Sequence, residues 1–382
     1  PLRLGVSVMS AITPRDKSAP WASFQGKSMR VAFAQAGWRA LVFMVLGIGV
    51  LAALAMGVAV GAIPIPVTLS ARILLNATGL FHFHQTWPDA YNIILIQLRL
   101  PQVVGAGLVG AALAVAGALL QGLLRNPLAD PAILGTSSGA ALGASLSFLF
   151  SAAYFTTYLG FSLLAVAAFI GAVISVSLVY GLATRHGRTP VASLLLAGVT
   201  VSAVFSALQT LIITLTDHDG TRLRVLYLWI SGGIAVASPQ QLAIVALLLA
   251  LGLAIGWLLA PRLDALATGE EMASFLGIRV EITKLAIVLT ASALVAAAVT
   301  ISGLVGFVGL VVPHVMRLLL GPKNRWLLPA STLGGAIFVM LADMLARSIL
   351  APSIVPLGVV TALVGGPFFL WLLRQSGGRY QW

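Results

Sequence analysis

The acidic side chains are few enough to weigh singly: Asp16, Asp89, Asp130, Asp217, Asp219, Asp264, Glu270, Glu271, Glu281 and Asp343. Carboxylates inside apolar runs are how ion-coupled transporters and pumps hold H⁺ or Na⁺. Only Asp343 lies well inside such a run, which argues against ion coupling. Arg347 follows it by four residues. That spacing fits a structural i,i+4 pair. It also fits an arginine offering its charge to something that docks. His186 and His314 are isolated and read as ordinary interface residues. His82, His84 and His218 fall in polar loops; imidazole can ligate haem iron, although a loop histidine is ordinarily just solvated. Cysteine is absent, so thiolate metal sites and disulfides are excluded. There is no H-E-x-x-H, and no G-x-x-x-x-G-K-[ST] to grip ATP phosphates. No Ser-His-Asp set can be argued from serines scattered as helix-packing residues. The expectation is a protein with no catalytic residues, no metal site and no cofactor of its own.

The elements that carry these residues follow from composition. Of 382 residues, 59% are hydrophobic and 8% charged, against about 25% charged in a soluble domain. The class is an all-α polytopic membrane protein. The net charge of +12 is dispersed between apolar runs, so it reads as membrane-flanking charge and not as a nucleic-acid surface. A spanning helix needs about 20 apolar residues. Ten candidate spans meet that, in whole or nearly: 38–62, 100–124, 133–152, 160–184, 191–214, 239–260, 283–302, 305–320, 327–350 and 356–374. The eighth is short. Residues 1–37 lack an apolar stretch followed by a cleavage site, so they read as a cytoplasmic, partly disordered tail and not as a secretory signal. The membrane-spanning body is then 38–375. With the N-terminus inside, seventeen Lys and Arg fall on the cytoplasmic side. Five fall outside: Arg72, Arg99, Arg222, Arg224 and Arg347. This bias puts both termini in the cytoplasm. Trp87, Trp229 and Trp326 fall near interfaces.

Two connections stand out. Arg99-Leu100-Pro101 opens a span that ends in the proline-framed hairpin Arg125-Asn126-Pro127-Leu128-Ala129-Asp130-Pro131. The loop 261–281 carries Leu263, Leu266, Met272, Phe275 and Leu276 among charges and ends at Gly277. It reads as a short amphipathic helix with a glycine cap, its apolar face seeking a partner or the lipid surface. A weak internal repeat relates LVGAALAVAG (108–117) to LVAAAVTISG (294–303), with Pro127 and Pro313 at the same offset. The copies begin five spans apart, so they would be inverted, as in many transporters.

These motifs carry a resemblance. RLP followed by LVGAALAVAG, Gln121 and RNPLADPAILGTSSGA is similar to the FecCD-type permeases of bacterial ABC importers. So are LLLAGV (194–199), GEEMASFLGI, GLVGFVGLVVPHVMR (303–317), LADMLAR (341–347) and PLGVVTALVGGPFFLWLL (356–373). The resemblance runs from about residue 40 to 374. It implies the type II importer architecture in the bacterial inner membrane, a homodimer with a path at its two-fold axis, two separate cytoplasmic ATP-binding subunits, and a periplasmic substrate-binding protein. It implies that Glu270, Glu271, Phe275, Leu276 and Gly277 form the ATPase coupling loop. Asn126 and Leu128 match gate positions, Arg99 and Arg347 match arginines that pair with the binding protein, and 191–214 matches the path-lining helix. Two positions depart: Gln102 stands where the family often has Arg, and Ile354 where Glu is usual, so the docking pattern is expected to differ.

The reading is an ATP-driven importer permease for a bulky metal chelate. Haem is preferred over ferric siderophore, with cobalamin third. An ion-coupled secondary transporter is the rival from another class, and an intramembrane enzyme the second.

Overall fold

The computed structural model describes residues 20–61, 63, 65–79, 81–149, 161–217 and 220–376. His218, Asp219 and most of the expected tail lie outside them. The chain divides into two compact units, Pro1–Met44 and Val45–Trp382. The division falls inside the first helix, α1 (Pro20–Ala59). Residues 20–37 were expected in the tail, yet they belong to this helix. Proline suits a helix's first turn, where its missing N–H is not needed.

The second unit is helical, which is how a chain in lipid satisfies its own backbone. After α1 come α2 (Val67–Ala77), α3 (Asp89–Asn92), a π-helical turn (Ile93–Arg99) and α4 (Leu100–Leu123). A 3₁₀ turn (Pro131–Leu134) leads to α5 (Thr136–Ser147). Next are α6 (Leu163–Ala183), α7 (Val191–Thr216), α8 (Thr221–Ile230), α9 (Pro239–Leu266) and α10 (Glu270–Phe275). The last four are α11 (Val280–Ser302), α12 (Val308–Leu320), α13 (Asn324–Ser348) and α14 (Leu357–Ser376). Among the described residues, seven helices are long and apolar enough to cross a membrane. Of the other three expected crossings, two appear as shorter apolar helices and the third as α5, the last residues of its expected span, 150–152, lying outside the described ones. α5 has 12 residues and α12 has 13; the apolar part of α14 is Leu357–Leu372.

α5 and α12 are short because each starts inside the bundle. Gly135 (φ 78°) and Phe307 (φ 68°) hold left-handed conformations that no α-helix continues. The order long, short, long, long occurs twice, as α4–α7 with 24, 12, 21 and 26 residues and as α11–α14 with 23, 13, 25 and 20. Alternate crossings make the second quartet run opposite to the first. The short sequence match 108–117 with 294–303 does not align these quartets, because the first copy is mid-helix in α4 and the second ends α11 at Gly303.

α4 is the centre of the unit. Its apolar window is 89% buried, while that of α7 is 17% buried. Close approach needs bare backbone. A Cβ on Gly110 would lie 2.0 Å from Gly335 O, and one on Gly117 would lie 1.9 Å from Gly309 O. α13 and α12 therefore meet α4 backbone to backbone.

Candidate docking, gating and coupling sites

One end of the bundle carries α2, α8, the start of α4 and the end of α13. The α10 end lies opposite. The π-helical turn before α4 has a local cause. Pro101 has no N–H to give Gln97, and the upstream helix widens so that Leu100 N–H bonds Leu95 O. Arg99 ends that turn with its side chain buried, 6% exposed. Its guanidinium donates to Val58 O and Ala59 O, both at 3.1 Å, and to Ile63 O. Arg347, 7% exposed, donates through Nη2 to Gly57 O at 3.1 Å and through Nε to Asp343 Oδ2 at 2.9 Å. Gln102 Nε2 donates to the other oxygen of Asp343 at 3.1 Å.

Both arginines thus cap the C-terminus of α1. The last carbonyls of a helix lack intrahelical partners and carry partial negative charge. The expectation of outward-facing docking cations meets a different geometry: both guanidinium groups are buried and engaged within the chain. Asp343 and Arg347 form the i,i+4 pair that their spacing allows. Gln102 belongs to the same cluster, and Ile354 is 71% exposed. His82 and His84 are exposed and alternate with Phe81 and Phe83, whose rings stack at 6.1 Å.

At the α10 end, the hairpin after α4 is shaped by Asn126. Its Oδ1 accepts Leu128 N–H at 2.9 Å, its N–H donates to Gln121 O at 3.1 Å, and its carbonyl accepts Ala129 N–H at 3.1 Å. Arg125 takes φ 49° to make the turn. Leu128 is half-buried. Asp130 Oδ1 accepts Ala132 N–H at 2.8 Å, and the carboxylate also accepts Phe307 N–H. Burial pushes the Asp130 carboxyl up, while those two N–H groups pull it down. The hairpin is thereby tied to the turn before α12. Gln121 strengthens that tie, donating to Gly309 O and Leu310 O at 3.2 Å and accepting from Arg317 Nη1 at 3.1 Å. A cleft of about 500 Å³ opens beside it, lined by Arg125, Asp264, Arg317 and Lys323 among others.

The 261–281 loop is smaller than expected. Leu263 and Leu266 are buried members of α9, which runs through Pro261 without ending. The helix that remains, α10, has six residues. Phe275 is 84% exposed, Leu276 72% and Met272 59%. Gly277 (φ 79°) closes it, with Ile278 N–H returning to Ala273 O at 3.1 Å in a Schellman pattern. Glu271 is exposed, but Glu270 pairs with Lys284 Nζ at 2.7 Å.

Lys284 is a residue that reading the sequence passed over as flanking charge. Its side chain is 2% exposed and also pairs with Glu281 at 3.1 Å. It donates to Thr189 O at 2.9 Å, while Glu281 Oε2 accepts Thr189 N–H at 3.0 Å. The spacing Glu281-x-x-Lys284 was the visible signal; the partners at 189 and 270 had none. Among the described residues no group of three or more His, Cys, Asp or Glu is placed to hold a metal. His314 packs its ring edge-on against Phe368 at 5.9 Å.

Comparison with known proteins agrees across sequence and structure. Residues 45–375 match the FecCD transport family. The chain is 41% identical over 292 residues to the hemin transport system permease protein HmuU of Yersinia pestis, covering 76% of this chain and 86% of that one. It is 39% identical over 292 residues to the cobalamin import system permease protein BtuC of Halobacterium salinarum, 76% of each chain. Against the iron(3+)-hydroxamate import system permease protein FhuB of Bacillus subtilis the identity is 36%, covering 78% of this chain and 75% of that one. A solved metal-chelate type ABC transporter in an inward-facing conformation superposes with a TM-score of 0.73 at 28% identity, covering 88% of this chain and 99% of that chain. The chain belongs to the FecCD transport family and is the multi-pass membrane permease subunit of an ABC importer, a transport component whose ATP is hydrolysed by separate subunits.

Proposed function

We propose that this permease carries a metal chelate from the periplasm to the cytoplasm by alternating access, with haem as the preferred cargo. The observation that carries the coupling part is α10, a glycine-capped helix whose Phe275 and Leu276 are 84% and 72% exposed. Apolar side chains so bare on a six-residue helix fit a groove on a partner, here the cytoplasmic ATPase. The α10 end then faces the cytoplasm. Its basic residues support that, since Arg125, Arg185, Arg188, Arg262, Arg279, Lys284, Arg317, Lys323 and Arg325 all gather there. Two copies of the chain enclose the path, each contributing the exposed faces of α7, and Asn126 with Leu128 narrows its inner end.

A periplasmic binding protein meets the opposite end. Arg99 and Arg347 act there from beneath, by fixing the end of α1 that the partner rests on. The exposed Ile349, Leu350 and Ile354 give that face an apolar corner. The exposed His82 and His84, beside stacked phenyl rings, favour haem with its apolar faces and ligatable iron. The likeness to a hemin permease points the same way. Uptake into vesicles holding the whole importer tests this, comparing haem, a ferric siderophore and cobalamin with the cognate binding protein. Haem uptake driven by ATP is the expected result; preferential uptake of either competitor overturns the cargo assignment.

A further inference from the structure

α10 is too short to hold its own place. Six residues lie far below the length at which a helix is stable alone, so something outside it sets where Phe275 and Leu276 point. Among the described residues, the helix is tied by charge only at its first residue: Glu270 reaches Lys284 at 2.7 Å. Lys284 stands in the second turn of α11 and is 2% exposed. An ammonium so buried is unfavourable unless its three protons are all received. They are, by Glu270, Glu281 and the carbonyl of Thr189.

Thr189 is the consequential partner. It is 0% exposed and precedes Pro190, the residue before α7. Its N–H is taken by Glu281 while its C=O is taken by Lys284. The peptide groups on both sides of Thr189 are therefore clamped to α11. Thr189 Oγ1 also meets Thr184 Oγ1 at 3.0 Å, at the end of α6. A reciprocal bridge between Arg185 and Arg188 closes the α6–α7 turn. One buried cation thus joins α10, the base of α11 and the turn that starts α7. α7 has few buried residues to hold it elsewhere, 17% of its apolar window. Bonded contacts of this node run without a break from Glu270 at the start of α10 to Thr189, beside the Pro190 that precedes α7.

We propose that Lys284 is the positioning residue that makes α10 and the α6–α7 turn move as one body, so that displacement at the coupling helix reaches α7. This rests on the reading of α10 as the ATPase contact. The carboxylates are partly wet, 38% and 32% exposed, so the node is held firmly at the cation and is open to water on its acidic side.

The test uses the complete importer in vesicles. The chain has no cysteine, so Arg188→Cys with Ser274→Cys accepts a pair of spin labels; both positions line one cleft of about 690 Å³. With Lys284 intact, the label distance is expected to stay within about 2 Å between ATP-free and ATP-bound states. A larger change overturns the proposal without any substitution at the node. In Lys284→Met, chelate taken up per ATP hydrolysed is expected to fall at least tenfold and the label distance to broaden. Unchanged uptake per ATP also overturns it. Leu276→Asp separates the underlying reading: if ATPase subunits still co-purify with that variant, α10 is not the contact, whatever the label distances show.

Discussion

The two ends of the bundle each bury charge, and they do it differently. At the α2 end, Arg99, Asp343 and Arg347 are all below 9% exposure. Their partners are helix-end carbonyls, one carboxylate and one amide. At the α10 end the cation is equally buried, but its carboxylates are 38% and 32% exposed. The first cluster is sealed: opening it would strand an ion in a low dielectric, where solvation is lost. The second can lose a contact and let water replace it. A sealed cluster suits a part that stays in place, and a half-open one suits a joint near the surface that is carried along as one body.

The largest effect should come from breaking the sealed side. Asp343→Ala leaves Arg347 buried without its carboxylate, and breaking such a pair costs about 3–5 kcal/mol. Thermal unfolding in detergent should show a strongly lowered midpoint; a small shift would mean that water already reaches Asp343. Arg99→Ala comes next. It removes charged hydrogen bonds to three carbonyls; water entering the space left by the truncated side chain offsets much of this, so roughly 1.5–3 kcal/mol in all is expected. Faster amide exchange confined to the last turn of α1 and residues 60–63 is expected. Uniform exchange across the protein would argue against the capping role.

Lys284→Met should cost less than either, about 1–2 kcal/mol, because both freed carboxylates already touch water. A loss as large as that of Asp343→Ala would erase the contrast between the ends. Raising salt from 0.02 to 0.5 M is the mildest probe. It screens the exposed carboxylates far more than the sealed pair, so protection of the α6–α7 turn should fall slightly while the end of α1 is unaffected.

Some of this was written in the sequence. Hydropathy located the long crossings, because lipid demands unbroken apolar runs. The i,i+4 spacing of Asp343 and Arg347 allowed their pair. Gly277 marked the end of α10, since a left-handed cap favours glycine. Other features depend on distant partners and left no local trace. Arg99 looks like any charge at the edge of a membrane run until α1 is found to end against it, 36 to 41 residues away in sequence. Leu263 and Leu266 were assigned to the amphipathic loop because they stand among charges beyond the apolar run 239–260. A proline inside a helix removes one hydrogen bond, and α9 continues past Pro261, held by neighbours. The short lengths of α5 and α12 were hidden because their flanks are as apolar as they are; backbone turns, not polarity, set their starts.

The capping of α1 also has a consequence for biosynthesis. Gly57, Val58 and Ala59 emerge early, whereas the guanidinium for Gly57 comes from Arg347, 290 residues later. At roughly 5–20 residues per second, the last turn of α1 waits roughly 15 to 60 s for its final partner. Until α13 is made, that turn has the Arg99 contacts but lacks the one from Arg347 to Gly57 O. Ribosome-stalled chains ending before residue 340 should be cut by protease near residue 60, and chains extending past 350 should resist. The end of the first crossing would then report whether the penultimate one has arrived.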